Sequence, residues 1–436
     1  MEPVKIGLLG LGTVGGGTVN VLTRNAEEIA RRAGRGIAIS HAAAKEYNRG
    51  LKGLDQIARI SDDAWGVVND PDIEIVVELI GGYKPALELV MKAIENGKHV
   101  VTANKALIAT HGNEIFAAAQ KQGVTVAFEA AVAGGIPIIK ALREGLAANQ
   151  IEWAAGIING TSNFILTEMK EKGRDFAEVL KEAQARGYAE ADPTFDIEGV
   201  DAAHKLTILA SIAFGIPLQF DKVYREGITA IERQDVSYAS ELGYNIKLLG
   251  ITRKTSRGIE LRVHPTLIPE NRLIANVDGV MNAVLVKGDA VGPTLYYGAG
   301  AGAEPTASAV IADIIDVVRA LTTDPGNRVP HLAFQPNSMS DIAILPMEEV
   351  QTGYYLRINA DDKPGVLSDI TTIIGDQQIS IEAIIQKEPD EDAASVPVIL
   401  LTQKVSEKKM NEAIRKIEQL DTVGAKVRRI RVEPLA

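Results

Sequence analysis

The stretch from Gly187 to Lys205 holds the densest group of residues that could carry out chemistry in this chain. Four carboxylates precede a predicted helix there: Glu190, Asp192, Asp196 and Glu198. The helix then carries Asp201 and Lys205 four residues apart, which places both side chains on one face. The apolar run after Lys205 predicts a buried helix, so both charged groups need polar partners. A bound polar substrate would supply them, whereas the alternative is an ordinary salt bridge within the helix.

A second lysine, Lys105, follows the predicted strand His99–Thr102 and so lies at the edge where ligands of open α/β sheets bind. A lysine can stabilise negative charge that develops on an oxygen, and it can donate a proton to that oxygen. A lysine close to another lysine should have a lowered pKa, which would also let it act as a base. His204 adjoins Lys205, but its side chain points about 100° away around the helix, so we expect no chemical role for it.

A glycine-rich turn follows the first predicted strand, Val4–Leu9, and leads into a helix. Its residues fit the dinucleotide fingerprint GxGxxG: Gly10, Leu11, Gly12, Thr13, Val14 and Gly15. Such glycines allow a tight turn and a close approach of the pyrophosphate to the helix N-terminus. An ordinary glycine turn is the alternative, but the position directly after the first strand favours a nucleotide site.

The segment after the second predicted strand, Ile37–Ala43, bears on the choice of cofactor. Lys45 favours the 2′-phosphate of NADP, whereas the adjacent Glu46 favours the ribose diol of NAD. Both NADP and NAD therefore remain candidates.

Three α/β regions are predicted to position these residues. Residues 1–130 alternate short β-branched runs with helical stretches, which predicts a Rossmann-type dinucleotide-binding domain with a parallel sheet. Residues 131–304 are predicted to form an α/β domain for substrate binding and dimerisation, with helices that include Ile136–Leu146. A helix at about 305–332 is predicted to return to the first domain.

The last part of the chain has a pattern of its own. Residues 333–349 are predicted to be a linker, because Pro336 and Pro346 interrupt any periodicity. Residues 350–436 follow a βαββαβ pattern, which is typical of a ferredoxin-like fold, with an exposed acidic loop expected at 388–395.

The composition excludes several classes of function. A net charge of −11 disfavours nonspecific binding to nucleic acid or to anionic membranes. The absence of cysteine excludes disulfides, thiolate nucleophiles and cysteine metal sites. The N-terminus lacks a secretory signal, and no apolar run reaches the roughly 18 residues of a membrane helix. We therefore expect a cytoplasmic protein.

Several of these motifs occur in the order found in homoserine dehydrogenases, and the chain resembles that family over essentially its whole length. They are the Gly12 loop, Ala103-Asn104-Lys105, Asn159–Asn163, Gly187–Lys205 and Gly298–Thr306. No aspartate-kinase domain precedes them, so the chain resembles the monofunctional form. The resemblance implies NAD(P)H-dependent, reversible reduction of L-aspartate 4-semialdehyde to L-homoserine, on the route to threonine and methionine.

The resemblance also implies roles for individual residues. Lys205 would donate and accept the proton at the substrate oxygen, and Lys105 would lie near the reacting centre and the cofactor. The residues alone leave open which lysine transfers the proton. The substrate would be bound by Glu190, which holds its α-ammonium group, and by Asp201, Asp196 and Thr161. The cofactor pocket would be lined by Lys45, Lys105, Gly187, Glu190 and Gly302.

A turn between the first two domains resembles the part of the family where a sodium-type ion is held by a glutamate and backbone carbonyls. The corresponding residues are Glu129, Val132, Gly134 and Ile136. A hard monovalent cation suits such oxygen ligands. The alternative is a glycine turn that only connects the domains.

The loop Asn359–Leu367 resembles the ligand loop of ACT domains, which bind amino acids between paired modules. L-Threonine is the effector that this resemblance implies, and a dimerisation module without an effector is the alternative. A homodimer or homotetramer is expected. Two other functions remain open: a dehydrogenase for another amino-acid-like carbonyl compound, and a noncatalytic sensor of amino acid and nucleotide.

Overall fold

The computed structural model describes residues 2–324, 328–387 and 395–435, so the acidic stretch at 388–394 lies outside the described residues. The strands in the described part are β1 (Val4–Leu9), β2 (Ile37–Ala43), β3 (Ile60–Ser61), β4 (Ile75–Glu78), β5 (His99–Thr102), β6 (Val126–Ala127), β7 (Ile151–Ile157), β8 (Tyr224–Arg225), β9 (Tyr244–Thr255), β10 (Gly258–Pro269), β11 (Met281–Gly288), β12 (Gly292–Ala299), β13 (Gln351–Asp361), β14 (Ile381–Gln386), β15 (Ser395–Ser406) and β16 (Arg428–Val432).

The helices in the same part are α1 (Thr13–Arg24), α2 (Ala26–Ala33), α3 (Ala64–Asn69), α4 (Ala86–Glu95), α5 (Lys105–Gln122), α6 (Ile138–Lys140), α7 (Gly160–Lys172), α8 (Phe176–Ala185), α9 (Thr194–Ile197), α10 (Val200–Phe214), α11 (Arg233–Glu241), α12 (Ala303–Ala320), α13 (Val366–Asp376) and α14 (Glu407–Ile417). Among the residues described, no helix is long and apolar enough to cross a membrane.

The first six strands form a parallel sheet in the order β3-β2-β1-β4-β5-β6. Strands β4 and β5 are buried along their whole length, as expected for a parallel sheet covered by helices on both faces. The strand order reverses between β1 and β4, and ligands of such sheets bind in the crevice at that point. The glycine turn, the loop after β4 and Lys105 all follow strands that end there. The predicted Rossmann-type fold is confirmed.

The remaining strands form one mixed sheet of ten strands that runs through the middle of the chain and the C-terminal βαββαβ unit. The long hairpin β9–β10 lies at its centre. β16 pairs in parallel with β10, where Thr266 lies opposite Arg431. At this seam the fully buried Arg431 side chain bonds to Glu226 at 2.8 Å and to Glu407 at 2.9 Å. The sequence pattern gave no indication that the two regions share a sheet.

Helix α10 is the central buried helix of the middle region. Each of its residues from Asp201 to Phe214 is buried, which confirms the burial expected from its apolar run. It packs on α5 and on strands β9 and β10. The helix that returns to the parallel sheet, α12, packs along α1, where a Cβ on Gly17 would lie 2.4 Å from the Ala303 carbonyl oxygen.

Two predicted segments differ in the structure. The helix expected over Ile136–Leu146 is α-helical only over α6 and continues as a wider π-helical turn, in which the Leu146 amide donates to the Ala141 carbonyl. The predicted linker is pinned to the mixed sheet, because Ile259 exchanges hydrogen bonds with Ala343 and Leu345 at 2.9 and 2.7 Å. The C-terminal unit is therefore held against the rest of the molecule and is not loosely tethered.

Candidate active site

Lys105, Asp201 and Lys205 meet at one point between the two sheets. The Asp201 carboxylate bridges the lysines, with Oδ1 2.9 Å from Lys105 Nζ and Oδ2 2.7 Å from Lys205 Nζ. Lys205 also donates to the Ile158 carbonyl oxygen at 2.7 Å. Because Lys105 begins α5 and the other two residues lie on α10, the contact is more than a salt bridge within one helix.

A shell of polar groups surrounds the Asp201 carboxylate. Asn159 caps the N-terminus of α7 with its Oδ1, and its Nδ2 donates to Asp201 at 2.8 Å and to Asp196 at 2.7 Å. Thr161 donates to the Tyr188 carbonyl oxygen at 2.6 Å, which ties α7 to the 187–199 segment. The predicted substrate residues Asp196 and Asp201 therefore share the Asn159 amide, and Thr161 lies within hydrogen-bonding reach of Asp196.

The two lysines differ in their electrostatic surroundings. The charge of Asp201 raises the pKa of Lys105 above its usual value, even though burial opposes this. Burial lowers the pKa of Lys205, and this effect outweighs the opposing charge of Asp201. The charge of Lys105 also lowers the pKa of Lys205, but to a smaller extent than burial does. The expected effect of one lysine on the other is therefore present but secondary. Lys105 therefore stays charged, while Lys205 is the easier of the two to deprotonate.

The glycine turn has the shape of a phosphate-binding loop. Gly10 has a φ of +100°, and a Cβ on Gly15 would lie 2.1 Å from the Gly10 carbonyl oxygen. A Cβ on Gly12 would meet no atom within 4 Å. Gly12 precedes α1, whose first turn has no side-chain cap and no acidic residue, so its N–H groups are free to bind an anion.

Comparison with known proteins shows the same organisation along the chain. The family model "Homoserine dehydrogenase, NAD binding domain" matches residues 10–129, "Homoserine dehydrogenase" matches residues 137–315 and "ACT domain" matches residues 354–419. The homoserine dehydrogenase of Pseudomonas aeruginosa is 66% identical over 435 residues, with all of both chains covered. The chain belongs to the homoserine dehydrogenase family.

Solved structures of homoserine dehydrogenases are similar as well. That of Thiobacillus denitrificans superposes with a TM-score of 0.95 at 67% identity, covering 100% of this chain and 99% of that one. A hyperthermophilic archaeal homoserine dehydrogenase in complex with NADPH superposes with a TM-score of 0.61 at 25% identity, covering 72% of this chain and 98% of that one. This chain is thus an NAD(P)-dependent oxidoreductase with a C-terminal ACT domain.

The other residues predicted to line the pocket are all exposed. Glu190 is exposed, and its charge contributes to the raised pKa of Lys105. Gly187 and Gly302 are exposed and have positive φ values, and Gly302 precedes α12. Lys45 is exposed two residues beyond the end of β2.

The turn predicted to hold a cation is buried. Glu129 accepts hydrogen bonds from the Ile139 and Lys140 amides at 2.9 and 2.8 Å, one on each carboxylate oxygen. Burial, together with the nearby Asp313 carboxylate, raises the pKa of Glu129 to about 7. Val132, Gly134 and Ile136 lie in the turn that follows, where Gly134 has a φ of +30°. In the described residues no three or more His, Asp or Glu side chains converge as a metal site, so backbone carbonyls would have to complete the ligand set of any bound cation.

Sequence reasoning missed four contributors to the site: Asn159, the Ile158 carbonyl, Tyr83 and Phe195. Asn159 carried a usable signal, because an asparagine directly before a helix is a common N-cap. The others carried none, since Tyr83 follows β4 and its neighbours across the cleft come from α9 and α10. Such contacts depend on how the two sheets are placed relative to each other.

Proposed function

We propose that the chain catalyses the reversible NAD(P)H-dependent reduction of L-aspartate 4-semialdehyde to L-homoserine at the Lys105–Asp201–Lys205 centre. The observation that carries this is one buried carboxylate shared by two lysines, at the edge of the parallel sheet that also bears the glycine turn. The nicotinamide cofactor supplies the hydride when bound. A cation is needed where the carbonyl oxygen becomes negative, and a proton must follow.

The lysines take different parts in this proposal. Lys105 remains an ammonium group that stabilises the developing alkoxide. Lys205 donates the proton to that oxygen in reduction and removes it in oxidation, because a lysine whose pKa is lowered can act as an acid and as a base. Two of the three N–H directions of Lys205 are used, by Asp201 and Ile158, so the third is available to the substrate.

The substrate residues form the wall next to Asp201. We propose that Glu190 at the exposed rim holds the α-ammonium group, and that Asp201, Asp196 and Thr161 fix the rest of the substrate. Burial and the neighbouring Asp201 charge raise the pKa of Asp196, so it bonds most strongly when a cationic or hydrogen-donating group lies close to it.

Replacement of each lysine by methionine tests these roles. We expect Lys205→Met to lower turnover by about 10²–10⁴-fold, the usual contribution of a general acid–base group. Lys105→Met should lower it by about 10²–10³-fold and keep the dependence on pH that belongs to Lys205. Nucleotide affinity should persist in both variants, and Lys181→Met on the exposed face of α8 is the matched control.

Normal turnover in both variants would refute the catalytic assignment. Folded wild-type protein that binds nucleotide but does not turn over aspartate semialdehyde would favour another substrate or a sensor.

NADP is the proposed preferred cofactor. Lys45 is exposed after β2, that strand ends in alanine, and the first acidic residue after it, Glu46, follows Lys45. The archaeal relative in complex with NADPH supports this choice. Lys45→Ala should raise the Kd for NADPH about tenfold and leave that for NADH within twofold. Equal effects on both nucleotides would contradict the preference.

A sodium ion at the Glu129 turn is a further proposal. Among the described residues, the Glu129 carboxylate accepts hydrogen bonds from the Ile139 and Lys140 amides, and burial with the Asp313 charge raises its pKa to about 7. A bound cation would stabilise its charged form. Glu129 would hold the ion with the carbonyls of Val132, Gly134 and Ile136, in a structural role. Sodium chloride should raise the Tm of the wild type above its value in choline chloride, and Glu129→Gln should abolish the difference.

The ACT domain is proposed to bind L-threonine at the loop between β13 and α13. Gly365 precedes α13 with a φ of +96° and no side-chain cap, which leaves amide groups for a carboxylate. L-Threonine should inhibit turnover and raise the Tm, whereas no change in either would favour a dimerisation module without an effector. A homodimer or homotetramer is proposed, and light scattering measures its size.

A further inference from the structure

His204 lies in a column of aromatic rings next to the catalytic centre. Its ring stacks on Phe220 with centroids 4.1 Å apart and planes at 14°, and on Phe195 at 5.4 Å and 30°. The Lys105 Nζ lies 5.8 Å above the Phe195 ring. The Phe195 ring therefore contacts both the His204 imidazole and the Lys105 ammonium group, so His204 helps to hold the ring that Lys105 packs on.

His204 also reaches across the cleft to the nucleotide-binding sheet. Its Nε2 lies 3.4 Å from the hydroxyl oxygen of Tyr83, in the loop after β4. That distance is at the upper limit of a hydrogen bond, and contacts of this kind often shorten once substrates are bound. Tyr83 is 43% exposed and Phe195 is 42% exposed, so both rings have free surface at the mouth of the cleft.

The loop that carries Tyr83 is fixed to the turn that carries Lys105. Glu78 accepts hydrogen bonds from the Ile80 and Gly81 amides at 2.9 and 3.0 Å. Asn104, directly before Lys105, donates to the Gly82 carbonyl oxygen at 2.7 Å. The Tyr83–His204 contact consequently connects the Lys105 turn to the helix of Lys205, alongside the ionic bridge through Asp201.

Stability does not explain a histidine at this position. His204 is 1% exposed, and its Nδ1 has no hydrogen-bond partner among the described residues. An unpaired buried nitrogen destabilises a fold, so a phenylalanine would pack into the same column without that penalty. Burial lowers the pKa of His204 to about 4, so the ring is neutral near neutral pH and accepts or donates a hydrogen bond as a neutral imidazole.

We propose that His204 is a positioning residue, which aligns the two catalytic lysines by holding Tyr83 and Phe195 against α10. The inference rests on the proposed function, because the alignment matters only if both lysines act on one substrate oxygen. The His204 ring contacts Tyr83 and Phe195, and its effect on the lysines passes through these two aromatic side chains.

The test compares His204→Phe, which keeps the stacked ring, with Tyr83→Phe, which removes only the hydroxyl group. Each variant loses the same contact, and we expect kcat for semialdehyde reduction to fall about tenfold in each, because small misplacements of reacting groups are costly. The double variant should be no slower than either single variant. The Kd for NADPH should stay within twofold, and Tyr297→Phe on the exposed edge strand β12 is the control.

Stability separates positioning from a merely structural role. His204→Phe should have a Tm equal to or above that of the wild type, since it removes the unpaired Nδ1. A kcat within twofold of wild type in His204→Phe overturns the inference, as do losses that multiply in the double variant. Wild-type protein that is inactive in the same assay would instead count against the proposed function, so the two failures are distinguishable.

Discussion

The replacement of Asp201 by asparagine probes the centre most directly. Asparagine has nearly the same shape as aspartate, so packing is preserved, but the side chain that bridges Lys105 and Lys205 becomes neutral. The side chain is 4% exposed, so water cannot replace the lost charge. Two ammonium groups then face one amide, which cannot accept from both as well as the carboxylate does.

The loss of stability in this variant is set by whichever of two processes costs less free energy: leaving the charge of Lys205 unpaired, or deprotonating Lys205. Breaking a buried ion pair destabilises a protein by about 3–5 kcal/mol. Lys205 can instead lose its proton. Its pKa lies below 10.5, so at pH 7.5 the difference between pKa and pH is at most about three units. At 1.36 kcal/mol per unit, deprotonation costs at most about 4 kcal/mol. We therefore expect a loss of up to about 4 kcal/mol in the free energy of unfolding and a largely neutral Lys205.

A neutral Lys205 changes the pH profile in a defined direction. In reduction the protonated amine is required, so kcat/KM should fall about 10²–10³-fold near pH 7.5, and its decline with rising pH should begin at lower pH. In homoserine oxidation the neutral amine is required, so the rise with pH should also begin at lower pH. The assay is kcat/KM in both directions across the pH range, with Asp175→Asn, an exposed residue before α8, as control. Profiles that coincide with those of the wild type would refute the reasoning.

Three further outcomes test the packing, the nucleotide loop and the seam between the regions. Gly17→Ala should lower the free energy of unfolding by about 1–3 kcal/mol in a urea titration, because the new methyl group would lie 2.4 Å from the Ala303 oxygen. Gly12→Ala has open space, so its Tm should not change, while fluorescence titration should show NADPH binding weakened about tenfold as the methyl group meets the pyrophosphate. Burial would raise the pKa of Glu226, but hydrogen bonds and charge from Arg431 outweigh it and lower that pKa. The Glu226–Arg431 interaction therefore contributes to the free energy of unfolding above about pH 4.5, and this contribution is lost as the pH falls. Arg431 keeps its partner Glu407, so Glu226→Gln should lower the free energy of unfolding by about 1–3 kcal/mol at neutral pH and flatten its dependence on pH below about 4.5.

Local patterns were sufficient for much of the fold. The strand Val4–Leu9 was predicted with its observed limits. The returning helix predicted at about 305–332 is observed over Ala303–Ala320, so its start was predicted more closely than its end. The C-terminal strands and helices were also found in the expected order. These elements have clear apolar periodicity and glycine or proline at their ends, so local physics determines them. The exact domain limits stay predictions.

Contacts between segments far apart in the chain could not be predicted from the sequence pattern. The strand β3 has only two residues, and the hairpin β9–β10 places polar and charged residues in buried positions, so neither shows a simple alternation. Spacing could place Asp201 and Lys205 together because they lie on one helix. The approach of Lys105 to the same carboxylate, and of Tyr83 to His204, depends on tertiary packing between regions about 100 residues apart.

The strand pairing between β10 and β16 bears on how the chain is made. β10 emerges from the ribosome about 160 residues before β16, so one stretch of its edge has unpaired amide and carbonyl groups until the ACT domain has been synthesised. An open edge of this kind recruits strands from other chains, and slow pairing of distant strands prolongs that exposure. A shortened gene that omits the ACT domain would therefore leave this edge of β10 unpaired, and we expect it to favour aggregation over soluble expression.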